Sequence, residues 1–389
     1  MREWCYLLGA AALLVLATAE DEPGLMKELP SNGNCTCIPY YQCDNGNVIE
    51  DGASLIDVRL NTGGCDSVLE VCCATPAKVH HEEEVVPDFE ASALDCVGSC
   101  GVVHPMGVSM RITGTTEGEA QFGEFPWMAA ILLKTDVLSK GKGNDTSDVK
   151  TAKKHLLYLC GGSLIHPRVI LTGAHCVVGH ENSTIVVRVG EWDSQTTQEI
   201  YGHQDRKVSE ILVHPYFQKS NLFHDVALLF LSEPVKPAKH IGFACLPPQD
   251  VRPPPATICV ASGWGKDAFG EEGRYNTILK KVDLPIVAQG KCQHSLRKTR
   301  LGYYFKLHRS FMCAGGEPEK DTCKGDGGSP LVCPHPDNPE RYMQSGIVAW
   351  GIGCKDHEVP GVYTNVALFR DWIDEKMHEH HLETFYYSL

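Results

Sequence analysis

Three short segments of this chain carry residue types that could support nucleophilic catalysis. Leu171–Cys176 contains His175, a residue type that can act as a general base. His224–Leu229 contains Asp225, a carboxylate able to orient an imidazole, and Asp321–Leu331 is a third segment, rich in glycine. A serine hydroxyl becomes an effective nucleophile only when a base removes its proton. The three segments therefore indicate hydrolytic chemistry, provided that the third offers a hydroxyl to His175.

The order of these segments resembles that of the chymotrypsin family. The resemblance covers about residues 112–376. It extends to three further phrases: Phe125-Pro126-Trp127, Ser262-Gly263-Trp264-Gly265 and Pro360-Gly361-Val362-Tyr363. It implies that His175 matches the general base of the family and that Asp225 matches the carboxylate orienting that base.

The nucleophile position of the family falls on Gly327. Active members read Gly-Asp-Ser-Gly-Gly-Pro, whereas this chain reads Gly325-Asp326-Gly327-Gly328-Ser329-Pro330. Glycine cannot form an acyl-enzyme, and loss of the serine costs about 10⁶ in turnover in subtilisin. Ser329 leaves the backbone two residues further on, and a misplacement of about 1 Å already costs about 10²-fold. We therefore expect a trypsin-like domain that does not cleave peptides.

The binding parts of the family's site are retained. Gly325 and Gly327 match the positions whose backbone amides form the oxyanion hole. Asp321, framed by Gly351 and Gly361, matches the base of a specificity pocket for arginine or lysine. The resemblance implies a pocket that holds a basic side chain without cleaving the bond. The alternative is an inherited scaffold with no present use.

The elements that must position these residues are mostly strands. Short β-branched runs, such as Thr184–Val189 and Gly346–Trp350, alternate with glycine, proline and asparagine turns, which predicts an antiparallel sandwich or barrel. Apolar residues recur at helical spacing only near the end, at Val366, Phe369, Ile373 and Met377. With the resemblance, we expect an all-β, chymotrypsin-like double antiparallel β-barrel with a C-terminal helix over residues 112–377. Residues 378–389 are predicted to form an exposed, frayed tail.

The N-terminal residues indicate an exported protein. Residues 1–19 combine Arg2, an apolar run from Tyr6 to Leu16 and a small-residue cleavage site, and that run is shorter than the roughly 20 residues needed to span a bilayer. Of the 18 cysteines, only Cys5 falls within this predicted signal peptide. Such cysteine usage is typical of an oxidising, extracellular compartment. The formal charge of −14 argues against nucleic acid as a partner.

Six cysteines lie between residues 35 and 73, and we place a small module at residues 33–74. A module of about 40 residues needs covalent staples, and six cysteines allow 15 connectivities. Residues 75–111 read as a linker and activation-like segment. The cysteine spacing resembles the clip domain that precedes arthropod serine proteases. With Gly327, the whole chain resembles the clip-domain serine protease homologues, in the prophenoloxidase-activating cofactor or masquerade-like group.

This resemblance also implies the disulfide pairing. The clip pairs are Cys35–Cys72, Cys37–Cys65 and Cys43–Cys73. The remaining pairs are Cys100–Cys245, Cys160–Cys176, Cys259–Cys333, Cys292–Cys313 and Cys323–Cys354. Cys96 is left over, as a free thiol or an intermolecular bridge, and it could equally trade roles with Cys100.

Processing and cofactors follow from weaker signals. Arg111 precedes the run that matches the family's activation site, and Asp326 would receive the new N-terminus. Sequons mark Asn34, Asn144 and Asn182 as glycosylation sites. No metal or other cofactor is expected. The alternative left open is calcium at the acidic stretch Glu191–Glu199, where some relatives bind it through oxygen ligands.

These observations lead to one functional expectation and two alternatives. We expect a secreted, non-catalytic cofactor in haemolymph, cut by an upstream clip protease and supporting prophenoloxidase activation, melanization and innate immunity. Its partners would be that protease and prophenoloxidase or its activating protease, with homo-oligomers left open and neither nucleic acid nor membrane involved. One alternative is an adhesive or microbe-binding decoy. The other is a weakly active trypsin-like protease.

Overall fold

A computed structural model describes most of the chain beyond residue 99. The described ranges are the short strands between residues 35 and 74, and residues 100–108, 118–137, 153–195, 199–265, 276–317, 327–352 and 359–389. The chain divides into two compact units, Met1–Pro87 and Asp88–Leu389. Among the described residues, no helix has the length and apolar character that crossing a bilayer requires.

The first unit contains a small four-stranded sheet. Its strands are β1 (Cys35–Pro39), β2 (Cys43–Asp44), β3 (Asn47–Val48) and β4 (Glu70–Ala74). They lie in the order β1-β4-β3-β2, and the antiparallel pairing of β1 with β4 places the backbones of Cys37 and Cys72 opposite each other. The side chains of the six cysteines between residues 35 and 73 lie outside the described residues, so their pairing stays a prediction.

The second unit begins with a closed six-stranded barrel. Its strands are β5 (Met128–Val137), β6 (Lys153–His166), β7 (Val169–Thr172), β8 (Ile185–Val189), β9 (Gln204–Val213) and β10 (Ala227–Leu231). They close in the order β10-β7-β6-β5-β8-β9, and each neighbouring pair is antiparallel. Strands β7 and β10 are buried along their whole length. The barrel thus surrounds its own apolar core, as the β-branched runs predicted.

A second closed barrel follows. Its strands are β11 (Ile258–Gly263), β12 (Lys280–Val287), β13 (Phe311–Ala314), β14 (Pro330–His335), β15 (Asn338–Trp350) and β16 (Gly361–Asn365), in the order β11-β12-β13-β16-β15-β14. The α-helices are α1 (Ala174–Val177), α2 (Gln289–Arg297) and α3 (Arg370–Glu379). The predicted all-β, double-barrel fold with a C-terminal helix is confirmed.

The two barrels share one apolar cluster. Trp127 from the entry to the first barrel, Leu228 from β10 and Ile347 from β15 are all fully buried in it. Burying a large apolar side chain contributes about 1.5–3 kcal/mol. A buried hydrogen bond from Ser163 to Gln344 also joins β6 to β15. Residues at the junction of the barrels are therefore held by packing from both sides.

Four disulfides lie within the described residues of this unit. They are Cys100–Cys245, Cys160–Cys176, Cys259–Cys333 and Cys292–Cys313, and each is among the pairs that the resemblance implied. Cys245 pairs with Cys100 and not with Cys96. Cys96, Cys323 and Cys354 lie outside the described residues.

The C-terminal tail differs from the predicted frayed end. Residues Phe385–Tyr387 form a turn of 3₁₀ helix, and Tyr387 is fully buried. The Tyr387 hydroxyl donates to Asp374 Oδ1 at 2.7 Å, and Leu246 N donates to the Tyr387 carbonyl at 2.9 Å. The His380 ring stacks on Phe230 with centroids 3.8 Å apart. The prediction was wrong because the aromatic residues near the end supply enough apolar area to hold the tail on the barrels.

We expect replacement of Tyr387 by alanine to lower the free energy of unfolding by about 3–5 kcal/mol, since it empties a fully buried aromatic site. Tyr387→Phe should cost only about 1 kcal/mol, for the lost hydrogen bond. Urea denaturation followed by tryptophan fluorescence measures both. Leu389→Ala, at a residue 56% exposed, is the control and should change little. Equal stability of Tyr387→Ala and the parent would show that the tail does not hold the fold.

Candidate functional site

A short helix presents His175 at the junction of the barrels. Strand β7 ends at Thr172, Gly173 precedes the helix, and His175 is the second residue of α1. The His175 side chain is 24% exposed, and its Nδ1 lies 2.6 Å from Asp225 Oδ2. The backbone amide of His175 donates to the other oxygen, Asp225 Oδ1, at 2.8 Å. One carboxylate therefore fixes both the ring and the backbone of His175.

Asp225 itself is anchored from both barrels. It lies just before β10 and is fully buried. Thr364, on β16 of the second barrel, donates its hydroxyl to the Asp225 carbonyl at 2.9 Å. A buried carboxylate is stabilised by the hydrogen bonds it accepts, and here both oxygens have a partner. The pair that the sequence analysis matched to base and orienting carboxylate thus has the geometry that those roles need.

Gly327 faces the Nε2 side of the His175 imidazole, opposite the Nδ1 atom that contacts Asp225. A Cβ atom built on Gly327 would lie 2.7 Å from His175 Nε2. The φ of Gly327 is outside the left-handed region, so its backbone would accept a side chain. Its neighbour Gly328 differs, because its φ is +78°. The glycine facing the histidine is therefore not one that the backbone requires.

Ser329 does not take over as a nucleophile. Its side chain is fully buried, and its hydroxyl has no hydrogen-bond partner among the described residues. A Cβ built on Gly161 would collide with the Ser329 hydroxyl, so this oxygen is pressed against β6. A nucleophile must lie within hydrogen-bond reach of its base, and His175 makes no such bond with Ser329.

Two sulfurs next to His175 have the arrangement of a metal site but not its chemistry. Ligand atoms of Cys160, His175 and Cys176 all lie within 4.8 Å of one another. The two cysteines form a disulfide, however. Zinc and similar metals bind thiolate, which a disulfide does not offer. This cluster therefore ties β6 to α1 and does not hold a metal.

Comparison with known proteins assigns both units. The family model described as Trypsin matches residues 115–373, and the model described as Serine protease Clip domain PPAF-2 matches residues 26–74. The chain is 35% identical over 371 residues to "Inactive CLIP domain-containing serine protease A8" of Anopheles gambiae, covering 94% of each chain. This chain belongs to the clip-domain serine protease homologues.

Other relatives carry names from phenoloxidase activation. "Phenoloxidase-activating factor 2" of Galleria mellonella is 56% identical over 278 residues, which is 72% of this chain and 88% of the relative. "Phenoloxidase-activating factor 3" of Holotrichia diomphalia is 30% identical over 388 residues, covering 95% of this chain and 98% of the relative.

Only part of the predicted binding pocket of this clip-domain homologue falls in the described residues. Gly361 begins β16 and is buried, whereas Gly351 directly follows β15 and is exposed. Trp350, before Gly351, packs its ring against Phe305 and Phe311. The other predicted site residues lie outside the described ranges: Asp321, Gly325, Asp326, Arg111, Asn34 and Asn144.

A histidine cluster behind Asp225 was missed by sequence reasoning. The rings of His214 and His224 stack with centroids 5.4 Å apart, and the His308 ring lies 5.2 Å from that of His224. Burial, and then the neighbouring His224, lowers the pKa of His214 to about 4. The His214 ring is therefore packed as a neutral group against Phe369 and Trp372. No sequence signal joins His308 to the other two, since it comes from the loop between α2 and β13, whereas His214 and His224 lie in the loop between β9 and β10.

In the acidic stretch considered for calcium, nitrogen groups already surround the carboxylate of Glu191. Glu191 Oε2 accepts a hydrogen bond from Arg188 at 3.1 Å and lies 3.2 Å from His203 Nδ1, while the Trp192 amide donates to Oε1. Burial, and then the nearby Glu199 carboxyl, raises the pKa of Glu191 to about 8. Calcium takes six to eight oxygen ligands. As arranged, Glu191 does not fit that ion, and no functional step is assigned to it.

Asn182, the one predicted glycosylation site within the described residues, lies at a turn. It begins the 3₁₀ helix Asn182–Thr184, and its side-chain amide donates to the Ser209 carbonyl at 2.8 Å. The side chain is partly exposed. Glycosylation of Asn182, like that of Asn34 and Asn144, stays a prediction.

Proposed function

We propose that this clip-domain serine protease homologue is a secreted, non-catalytic cofactor of prophenoloxidase activation. The observation that carries the proposal is Gly327, which places no hydroxyl beside an intact His175–Asp225 pair. Without a nucleophile the pair has no acyl-enzyme to form. The domain then acts by binding, through surfaces kept in shape by the barrels.

The relatives support this assignment. Two of them are named phenoloxidase-activating factors, and a third, matched over nearly the whole chain, is named an inactive clip-domain protease. The combination of these two kinds of name is what a cofactor without protease activity would produce. A relative that activates phenoloxidase need not be the enzyme that cuts it.

We further propose how the chain reaches this role. The predicted signal peptide and the four described disulfides support export into an oxidising fluid, which for this family would be haemolymph. An upstream clip protease would cut the chain, with Arg111 as the proposed position. The cut protein would then contact prophenoloxidase or the protease that activates it. We propose neither a membrane nor a nucleic acid as a partner.

Reconstitution tests the proposal directly. Purified prophenoloxidase and its activating protease are mixed with the chain, either intact or pre-cut by a clip protease, and phenoloxidase activity is followed. We expect the cut chain to raise that activity at least about tenfold, in line with a coupling free energy near 1.4 kcal/mol or more. The His175→Ala variant should raise it equally, because no proton transfer at His175 is needed.

Two results would contradict the proposal. Loss of the increase in the His175→Ala variant, with the fold intact by circular dichroism, would mean that the site performs chemistry. No increase under any processing would remove the cofactor role and favour the adhesive or decoy alternative.

A further inference from the structure

The second barrel carries a segment in which every lysine, arginine, aspartate or glutamate position is basic, on a protein that is acidic overall. Between residues 284 and 316 there are six lysine or arginine residues and no aspartate or glutamate, whereas the chain has a formal charge of −14. This run includes α2 and the loop that connects it to β13. Lys291, Arg300, Lys306 and Arg309 are exposed on it.

The same loop exposes two aromatic rings. Tyr303 is 77% exposed and Tyr304 is 91% exposed, and their rings meet edge to face at 5.4 Å. The Arg297 guanidinium lies over the Tyr303 ring at 5.7 Å. Single exposed apolar residues are common, but neighbouring rings beside arginine match the composition of protein interfaces. We call the exposed side chains of residues 291–309 the basic-aromatic surface.

This surface is held in one shape. The Cys292–Cys313 disulfide ties α2 to β13, and Leu296 and Leu307 are buried beneath. Arg297 Nε donates to the Phe305 carbonyl at 2.8 Å across the loop. A partner that docks on a loop already ordered loses less conformational entropy than one that must order it.

The charges on the surface are available to a partner. In the described part of the chain, no carboxylate pairs with Arg300 or Lys306. The surface also adjoins the predicted pocket, because Phe305 contacts the Trp350 ring edge to face, with centroids 6.2 Å apart. A positive area on a negative protein is where an acidic partner can approach and be oriented.

We infer that the basic-aromatic surface binds an acidic polypeptide segment of a partner protein. Carboxylates of that segment would pair with Arg300 and Lys306, and its apolar side chains would pack on Tyr303 and Tyr304. A polypeptide is favoured over a sulfated polysaccharide because two exposed aromatic rings lie among the charges and offer apolar area on which side chains can pack. The inference goes beyond the proposed cofactor role and does not depend on it.

Direct binding tests this inference. The probe is a fluorescein-labelled peptide of alternating glutamate and leucine, and anisotropy is measured on the full-length protein in about 50 mM and about 300 mM salt. We expect Arg300→Glu/Lys306→Glu to weaken binding at least about tenfold and to reduce its salt dependence. Tyr303→Ala/Tyr304→Ala should weaken it about tenfold without changing the salt dependence.

The matched control is Lys236→Glu/Lys239→Glu, which makes the same charge change at exposed positions outside the surface. It should leave peptide affinity within about twofold of the parent. If the control lost as much peptide affinity as Arg300→Glu/Lys306→Glu, the effect would be due to net charge alone, and the inference would be overturned. No binding by the parent would also overturn it. So would tight binding of a heparin fragment that the tyrosine variant leaves unchanged, which would assign the surface to a polysaccharide.

Discussion

The Gly327→Ser variant is expected to hydrolyse arginine amides at least about 10²-fold more slowly than an active trypsin-like enzyme. The reason is geometric, since a Cβ at residue 327 lies only 2.7 Å from His175 Nε2. The ring would have to move, yet Asp225 holds its Nδ1 at 2.6 Å and its backbone amide at 2.8 Å. A displacement of about 1 Å between reacting groups costs about 10²-fold in rate.

The parent chain should show no hydrolysis that depends on His175. Loss of the serine alone removes about 10⁶ of turnover in subtilisin, and further changes at the base then add little. The measurement is release of a chromophore from an arginine amide, before and after limited cleavage of the chain. Gly327→Ala, which adds the same Cβ without a hydroxyl, is the control for Gly327→Ser. A His175→Ala change that lowered hydrolysis by the parent would mean that some other nucleophile works at this site.

Replacement of Gly328 by alanine should prevent folding, or cost about 4 kcal/mol or more of stability. Gly328 has a φ of +78°, which disfavours any residue with a side chain. A Cβ there would collide with Thr172 Oγ1 and would lie 2.5 Å from the Gly161 carbonyl oxygen. Both atoms are held in place, because the Thr172 hydroxyl donates a hydrogen bond to the Gly161 carbonyl oxygen at 2.8 Å.

Gly327→Ala provides the contrast within one dipeptide. Its new Cβ is too close to one side chain only, the His175 ring, and the backbone accepts it without strain, so we expect a smaller cost of about 1 kcal/mol. Urea denaturation and the yield of soluble protein report both variants. If Gly328→Ala were as stable as Gly327→Ala, the strands around β6 and β7 would have to be more adaptable than their packing indicates.

The two glycines differ in what the backbone requires of them. Gly328 is required by the backbone whether or not the domain is an enzyme. The backbone at residue 327 does not require glycine. The domain therefore lacks a side chain here that its fold could accommodate. The histidine, aspartate and disulfide around it also hold the junction of the barrels together, through β6, α1 and β16. Removing the nucleophile therefore leaves the scaffold intact.

Much of the fold could be predicted from local pattern and resemblance. The run Thr184–Val189 begins in a turn and continues as β8, and Gly346–Trp350 is the end of β15. The helical spacing that begins at Val366 corresponds to a 3₁₀ turn followed by α3. These elements follow from side-chain periodicity, which depends only on neighbours in the chain.

Contacts between distant segments could not be predicted in this way. The burial of Tyr387 depends on Asp374 and on the Leu246 amide, which the tail meets only after both barrels close. The edge-to-face contact of His308 with His224, which itself stacks on His214, likewise requires the loop between α2 and β13 to meet the loop between β9 and β10. Arg300 and Lys306 form one surface with the exposed tyrosines only because α2 and the loop after it fold in this way.

The residue types at the site can be read from the sequence: the histidine and aspartate, the glycine where the family has serine, and the cysteines that can pair. Residue types belong to the covalent structure, and folding cannot supply the hydroxyl group that Gly327 lacks. The folded chain was needed to show that His175 lies against Gly327, that the Ser329 side chain is buried and that the C-terminal tail is packed. Each of these depends on distances between segments far apart in the chain, which are set by the joint packing of two barrels.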